Sequence, residues 1–178
     1  MTLTTEQIKE CCGAIQHDAD KYTDCLNATM EKYEINSSLR IAHFLAQIGH
    51  ESLGLFYTEE LGGVDYFKKY DNRADLGNTH EGDGFRYKGR GFIQITGRFN
   101  YIAYGHSVDI DFENNPEQLA DVPYCADSSG WFWAGHNLNI FADQNNVLEI
   151  TRRINGGTTG LNDREKRLYT CKKILGIL

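Results

Sequence analysis

The residues best suited to chemistry in this chain are carboxylates, because the familiar metal and nucleophile motifs are incomplete. His50 and Glu51 are adjacent, but the zinc-protease pattern H-E-x-x-H needs a second histidine where the chain has Gly54. Ser52 lacks the preceding glycine of a nucleophile elbow. The glycine-rich stretches of residues 82–91 lack the Gly-Lys-Ser/Thr ending of a phosphate loop. We therefore expect no metal and no cofactor, and we turn to acid–base chemistry.

Glu51 is the strongest candidate for a general acid, because it closes an apolar helical segment. Partial burial and the negative end of the helix dipole would both favour the protonated carboxyl that a general acid needs. Glu59 and Glu60 follow a glycine-containing turn that lets a second carboxylate face the first across a cleft. Such a pair could hydrolyse a glycosidic bond. A solvated glutamate at a helix end remains the simpler interpretation of Glu51 taken alone.

A second candidate region is the polar and aromatic segment of residues 87–101, YKGRGFIQITGRFNY. If residues 92–95 form a short β-strand, Gln94 and Thr96 lie on one face of it. Aromatic rings beside amides and hydroxyls suit a sugar-binding cleft. A buried hairpin whose polar groups bond internally would explain the same pattern.

Helices account for most of the predicted structure. Capping residues and apolar periodicity predict about seven helices, beginning at Thr4 or Thr5, near Asp18, at Ser37 or Ser38, at Asn115–Glu117, at Ala126, at Val147 and at an Asn162 cap. Residues 71–91 are rich in Gly, Asn, Asp and Arg without periodicity, which indicates a long ordered loop. The expected fold class is therefore mainly α, with a small β element.

Length and composition restrict the function classes. A chain of 178 residues predicts one domain spanning residues 1–178. The net charge of −7 argues against a general nucleic-acid binder. No stretch approaches the roughly 20 apolar residues of a membrane span, and the first residues lack the basic and apolar parts of an export signal. An odd number of cysteines without a C-x-x-C pair predicts reduced, mostly buried thiols.

Several segments cover most of residues 39–178: HFLAQIGHESLG, YDNRADLGNTHEGDGFRYKGRG, the run at residues 87–101, NPEQLA, ADSSGWFW, ITRRINGGTTGLNDR and the terminal ILGIL. Together and in this order they resemble glycoside hydrolase family 19, the chitinase family, in its phage-lysozyme branch. Residues 1–35 match no motif of the family.

The resemblance implies a role for particular residues. Glu51 would be the general acid, and Glu60, nine residues further on, the general base. Phage relatives often have Glu-Glu-Asn where this chain has Glu59, Glu60 and Leu, so Glu59 remains an alternative base. Thr96 would hold the attacking water. The remaining implied substrate-site residues are His50, Gln94, Asn100, Tyr101, Asn155 and Arg164, the last supporting the cleft's carboxylates.

The resemblance also implies a lysozyme-like helical domain with a central cleft and an inverting hydrolysis of β-1,4 bonds between N-acetylated amino sugars. We expect peptidoglycan as the substrate and a phage endolysin in host lysis, because the chain is compact and lacks an export signal. Such an enzyme would be made in the cytoplasm of the infected host and reach the wall through a separate holin. The alternatives are a chitinase and a non-catalytic cell-wall-binding module. We expect a monomer that neither binds nucleic acid nor inserts into membranes.

Overall fold

The computed structural model describes residues 1–178 as a mainly helical protein. The α-helices are α1 (Thr5–Cys12), α2 (Gln16–Lys32), α3 (Ser38–Glu51), α4 (Val64–Phe67), α5 (Asp83–Arg86), α6 (Arg98–Val108), α7 (Tyr124–Gly135), α8 (Leu138–Asp143), α9 (Val147–Asn155) and α10 (Leu161–Ile174). Short 3₁₀ helices occupy Lys68–Tyr70, Ala74–Leu76 and Pro116–Ala120. None of the helices is long and apolar enough to cross a bilayer.

Helix α3 is the centre of the fold. Ser37 caps it by accepting a hydrogen bond from the backbone N–H of Arg40 at 3.2 Å. All residues from Ile41 to Gly49 are buried, so α3 is covered on every side, and α1, α8 and α10 pack against it. The apolar core of 26 buried residues includes most of these side chains. Glu51 is therefore the last residue of a helix whose position the core determines.

Local signals predicted several helix ends correctly. Thr4 and Gln7 form the capping box of α1, and the cap of α3 is one of the two serines expected. The last helix differs, because its cap is Gly160 and Asn162 lies inside α10. Helix α6 has no counterpart among the predicted helices, since its aromatic residues favour β-structure.

The expected strand at residues 92–95 is wrong. Gln94 has a φ of 60°, and its N–H bonds to the carbonyl of Gly91 at 3.1 Å, which closes a turn. Arg90 and Ile95 flank that turn and exchange two backbone hydrogen bonds of 3.0 and 2.7 Å. The turn buries the neighbouring Phe92 and Ile93 in the main core, which an alternating strand could not do. The β element therefore consists of isolated bridges.

A second, smaller cluster of six buried residues is mostly aromatic and adjoins the main core through Phe132. Its members are Tyr87, Ile95, Tyr101, Tyr104, Phe112 and Leu119. The predicted long loop of residues 71–91 runs beside this cluster and contains one 3₁₀ turn and α5. All five cysteines are buried free thiols, as their number and spacing predicted.

A buried histidine in α3 should make folding stability depend on pH. Burial lowers the pKa of His43 from 6.5 to about 4, although its hydrogen bond with Asn145 opposes the shift. Between pH 6.5 and pH 4 the unfolded chain therefore binds a proton at this histidine that the folded chain does not bind. The free energy of unfolding should fall by about 3 kcal/mol as the pH drops from about 6.5 to about 4. We expect His43→Gln to flatten this part of the curve, measured by urea unfolding at several pH values. The exposed His17 provides the control, since His17→Gln should leave the slope unchanged; equal slopes in all three proteins would contradict the prediction.

Candidate active site

Glu51 is held by a buried arginine from the last helix. Arg164 is fully buried and donates hydrogen bonds to Glu51 Oε1 and to Gln47 Oε1. Gln47 lies one helical turn before Glu51 on α3, and its amide also donates to Thr151 at 3.4 Å. The Glu51 side chain remains 18% exposed, with Oε2 free of protein hydrogen bonds. The argument from burial and the helix dipole did not include this cation, whereas the family resemblance implied that Arg164 supports the cleft's carboxylates, and Arg164 does contact Glu51.

His50 points to α10. Its Nδ1 lies 2.8 Å from Asp163 Oδ2, and the ring packs against the backbone of Gly160. It is not among the side chains that line the cleft beside Glu51. The expected substrate contact of His50 stays a prediction, and its observed contacts are within the protein.

The segment with Glu59 and Glu60 is joined by backbone hydrogen bonds to the turn that contains Gln94. Glu60 N–H donates to the Gly89 carbonyl at 2.8 Å, and a bridge pairs Glu59 with Arg90. Gly89 N–H donates back to Glu60 Oε2 at 3.3 Å. A Cβ at Gly89 would lie 2.7 Å from Gln94 Oε1 and 3.2 Å from Glu60 Oε2, so a larger residue here would displace the Gln94 side chain from its observed position.

The two adjacent glutamates have different environments. Glu59 forms salt bridges with Lys88 at 2.6 Å and Arg90 at 2.8 Å, and both cations are buried. Burial would raise the pKa of Glu59, but hydrogen bonds from these two cations outweigh it and hold the pKa below its usual value. Glu60 forms no salt bridge. Of these two glutamates, only Glu60 lacks a salt-bridge partner.

The turn of residues 90–96 places two predicted polar side chains beside these carboxylates. The Gln94 amide donates to the Gly91 carbonyl at 2.9 Å, and the Thr96 hydroxyl donates to the Gln94 carbonyl at 2.9 Å. The lone pairs of the Thr96 oxygen therefore remain able to accept a hydrogen bond from water. Asn100 is exposed and donates to the Thr96 carbonyl at 2.8 Å, so it caps the turn and does not line the cleft.

Tyr101 lies away from the cleft. It is fully buried, and its hydroxyl donates to the Lys88 carbonyl and accepts from Arg90 Nη1 at 2.9 Å. The structure therefore gives Tyr101 a place under the Glu59 salt bridges and no exposed surface for a substrate contact. Its position in the aromatic motif did not indicate burial, because the helix α6 that carries it was not predicted.

One cleft brings five of the predicted residues together. Its lining consists of Glu51, Tyr57, Glu59, Glu60, Leu61, Tyr70, Gln94, Thr96 and Asn155. The sequence argument missed Tyr57, Leu61 and Tyr70 as lining residues, and Gln47 as the second partner of Arg164. Gln47 had a usable signal, since it is a polar residue on an apolar helix four positions before Glu51.

The chemistry available to this cleft is acid–base chemistry. Three carboxylates, those of Glu51, Glu59 and Glu60, lie among aromatic rings and amides that can contact sugar faces and hydroxyls. No group of three or more His, Cys, Asp or Glu side chains converges as metal ligands would.

Comparison with known protein families agrees with this geometry. A family 19 glycoside hydrolase model, described as chitinase class I, matches residues 21–148. A family 19 domain-containing protein of Haemophilus influenzae is 34% identical over 170 residues, covering 79% of this chain and 82% of that protein. Chitinase 6 of Oryza sativa subsp. japonica is 32% identical over 123 residues, covering 68% of this chain but 44% of the plant protein.

Solved structures show the same fold. A bacterial family 19 chitinase superposes with a TM-score of 0.79 at 22% identity, covering 100% of this chain and 97% of that chain. Chitinase C from Streptomyces griseus superposes with a TM-score of 0.76 at 24% identity, covering 98% of this chain and 77% of that chain. The helical fold, the family model and the relative from H. influenzae lead to one conclusion: this chain is a glycoside hydrolase and belongs to family 19.

Proposed function

We propose that the protein hydrolyses β-1,4 glycosidic bonds of peptidoglycan, with Glu51 as general acid and Glu60 as general base. The observation that carries this proposal is the contrast between two adjacent glutamates. Glu59 is neutralised by two buried cations, whereas Glu60 lines the cleft without a salt bridge. Glu60 can therefore take a proton from water, while Glu51, in its protonated form, donates the proton on Oε2, which Arg164 does not contact, to the leaving oxygen.

An inverting reaction is the form that we propose for this pair. Inversion requires a water molecule between the base and the anomeric carbon, with the two carboxyl groups roughly 6.5–9.5 Å apart or somewhat more. The Thr96 oxygen can accept one hydrogen of that water while Glu60 removes the other. Gln94 and Asn155 line the same cleft and supply amide groups for the N-acetylated sugars.

The preference for peptidoglycan is supported by one free cation at the edge of the cleft. The ammonium of Lys69 lies 3.5 Å from the ring centre of Tyr66 and 4.7 Å from that of Tyr70, and Tyr70 lines the cleft. Lys69 is exposed and forms no salt bridge. Chitin is neutral, whereas the stem peptides of peptidoglycan carry carboxylates. A free cation at this position therefore favours the anionic polymer.

Two further observations bear on this choice. Arg86, Lys88, Arg90 and Arg98 do not form a free basic patch, since each is paired with carbonyls or carboxylates of the protein, which Lys69 is not. The relative from H. influenzae matches over most of both chains, but so does the fold of a bacterial family 19 chitinase, so chain coverage does not separate the two substrates. We propose the phage-endolysin role, with release by a separate holin, as the setting of this activity.

The test is a parallel assay of the purified protein on two substrates. Turbidity of outer-membrane-permeabilised bacteria should fall, and muropeptide analysis should show cleavage of the glycan strand. Soluble chitin oligomers should be cleaved more slowly. Rapid cleavage of chitin oligomers without wall lysis would support a chitinase, and activity on neither substrate would support a non-catalytic wall-binding module.

Removal of the Lys69 charge should affect only the anionic substrate. We expect Lys69→Gln to raise KM on peptidoglycan by about two- to fivefold, because an exposed ion pair contributes at most about 1 kcal/mol. The effect should disappear at high salt. KM on chitin oligomers should not change. Lys173→Gln, which removes an exposed charge from α10, is the matched control. Equal effects of the two substitutions on KM for peptidoglycan would contradict a specific role of Lys69 in binding this substrate.

A further inference from the structure

Two consecutive residues at the end of α3 pair with two consecutive residues in the first turn of α10. Glu51 accepts a hydrogen bond from Arg164, and the preceding His50 lies with Nδ1 2.8 Å from Asp163 Oδ2. Glu51 follows His50 on α3, and Arg164 follows Asp163 on α10. A shift of α10 along α3 that displaces one pair therefore displaces the other as well. The His50–Asp163 contact therefore bears directly on the geometry of the carboxyl group of Glu51.

Asp163 is itself fixed from a second side. Arg167, one turn later on α10, donates through Nε to the same Oδ2 at 2.6 Å, and its Nη1 donates to the Cys12 carbonyl at the end of α1. Burial would raise the pKa of Asp163, but its hydrogen bonds with Arg167 and His50 outweigh burial and lower the pKa. Asp163 is thus an ionised acceptor, and His50 Nδ1 carries the hydrogen between them.

The ring of His50 has little freedom on its other side. Gly160, the residue that caps α10, has a φ of +76°, and a Cβ there would lie 2.2 Å from His50 Nε2. The contact excludes any larger residue unless the ring moves. His50 is therefore enclosed by the start of α10, on one side by a carboxylate and on the other by backbone.

We propose that Asp163 is a positioning residue for the general acid. By holding His50, it sets the register between α10 and α3 at which Arg164 meets Glu51 Oε1 and leaves Oε2 open to the cleft. This inference rests on the proposed role of Glu51 as the acid. A displaced acid slows proton transfer more than it weakens binding, since a misplacement of about 1 Å can cost about a hundredfold in rate. Loss of Asp163 should therefore appear in kcat and leave KM nearly unchanged.

The experiment compares Asp163 with an aspartate in a similar setting away from the cleft. Asp143 on α8 forms two hydrogen bonds with Arg40, of 2.8 and 2.6 Å, and its side chain is 46% exposed, against 47% for Asp163. We expect Asp163→Ala to lower kcat at least tenfold with KM within about twofold of the parent. The kcat of Asp163→Asn should lie between those of the parent and Asp163→Ala, because the amide oxygen of asparagine still accepts a hydrogen bond from His50. Asp143→Ala should lower Tm comparably and leave kcat within about twofold.

Each outcome distinguishes one interpretation. A parental kcat in folded Asp163→Ala would overturn the positioning role, as would equal losses of kcat in Asp163→Ala and Asp143→Ala. A rise in KM at constant kcat would instead make His50 a substrate contact. If Glu51→Gln remains active, the proposed acid itself is wrong; if Glu51→Gln is inactive and Asp163→Ala is normal, only the present inference fails.

Discussion

Glu51→Gln should reduce turnover on peptidoglycan by at least about a hundredfold, since loss of a general acid costs about 10²–10⁴ in rate. The amide oxygen of glutamine can still accept the hydrogen bond of Arg164, but its NH₂ group cannot protonate the leaving oxygen. Unfolding should remain cooperative, at a somewhat lower Tm, because the buried Arg164 loses its counter-charge. Turnover and thermal unfolding measured on the same preparation separate lost chemistry from lost fold.

A surface carboxylate provides the control for this substitution. Glu149 on α9 pairs with Arg153 at 3.0 Å, outside the residues that line the cleft. Glu149→Gln should retain parental turnover. If Glu51→Gln keeps more than about a tenth of parental activity while remaining folded, Glu51 is not the acid.

Glu60→Gln and Glu59→Gln should fail in different ways. Glu60→Gln removes the base, so turnover should fall by about 10²–10⁴ while Tm stays near that of the parent. Glu59→Gln leaves Lys88 and Arg90 buried without their counter-charge, so its main effect should be on stability. We expect a loss of about 1–2 kcal/mol, at the low end for a buried ion pair because Glu59 is 39% exposed.

The measurements for this pair are turnover and the free energy of unfolding, each determined for both variants. Glu59→Gln should keep much more activity than Glu60→Gln when compared at a temperature where both are folded. The reverse order of activities would make Glu59 the base. Equal losses of activity with equal losses of stability would mean that the two glutamates act as one structural unit.

Several elements of the fold could be predicted because their signals are local. The capping box at Thr4 and the serine cap of α3 each depend on residues within one helical turn. Residues 92–95 were predicted as a strand because their β-prone side chains match a strand locally. The segment forms a turn instead, because the consecutive side chains of Phe92 and Ile93 both pack in the main core.

The sequence by itself determined the mainly helical fold class and five residues of the cleft. Helical periodicity, helix caps and the family-like motif each depend only on residues that are close together in the chain. Only the tertiary structure decided which of two adjacent glutamates is free. Glu59 is neutralised by Arg90, 31 residues further along the chain, and Glu51 is held by Arg164, 113 residues further on. Charge neutralisation depends on distance in space, and a distance between residues so far apart in sequence exists only once the helices have packed.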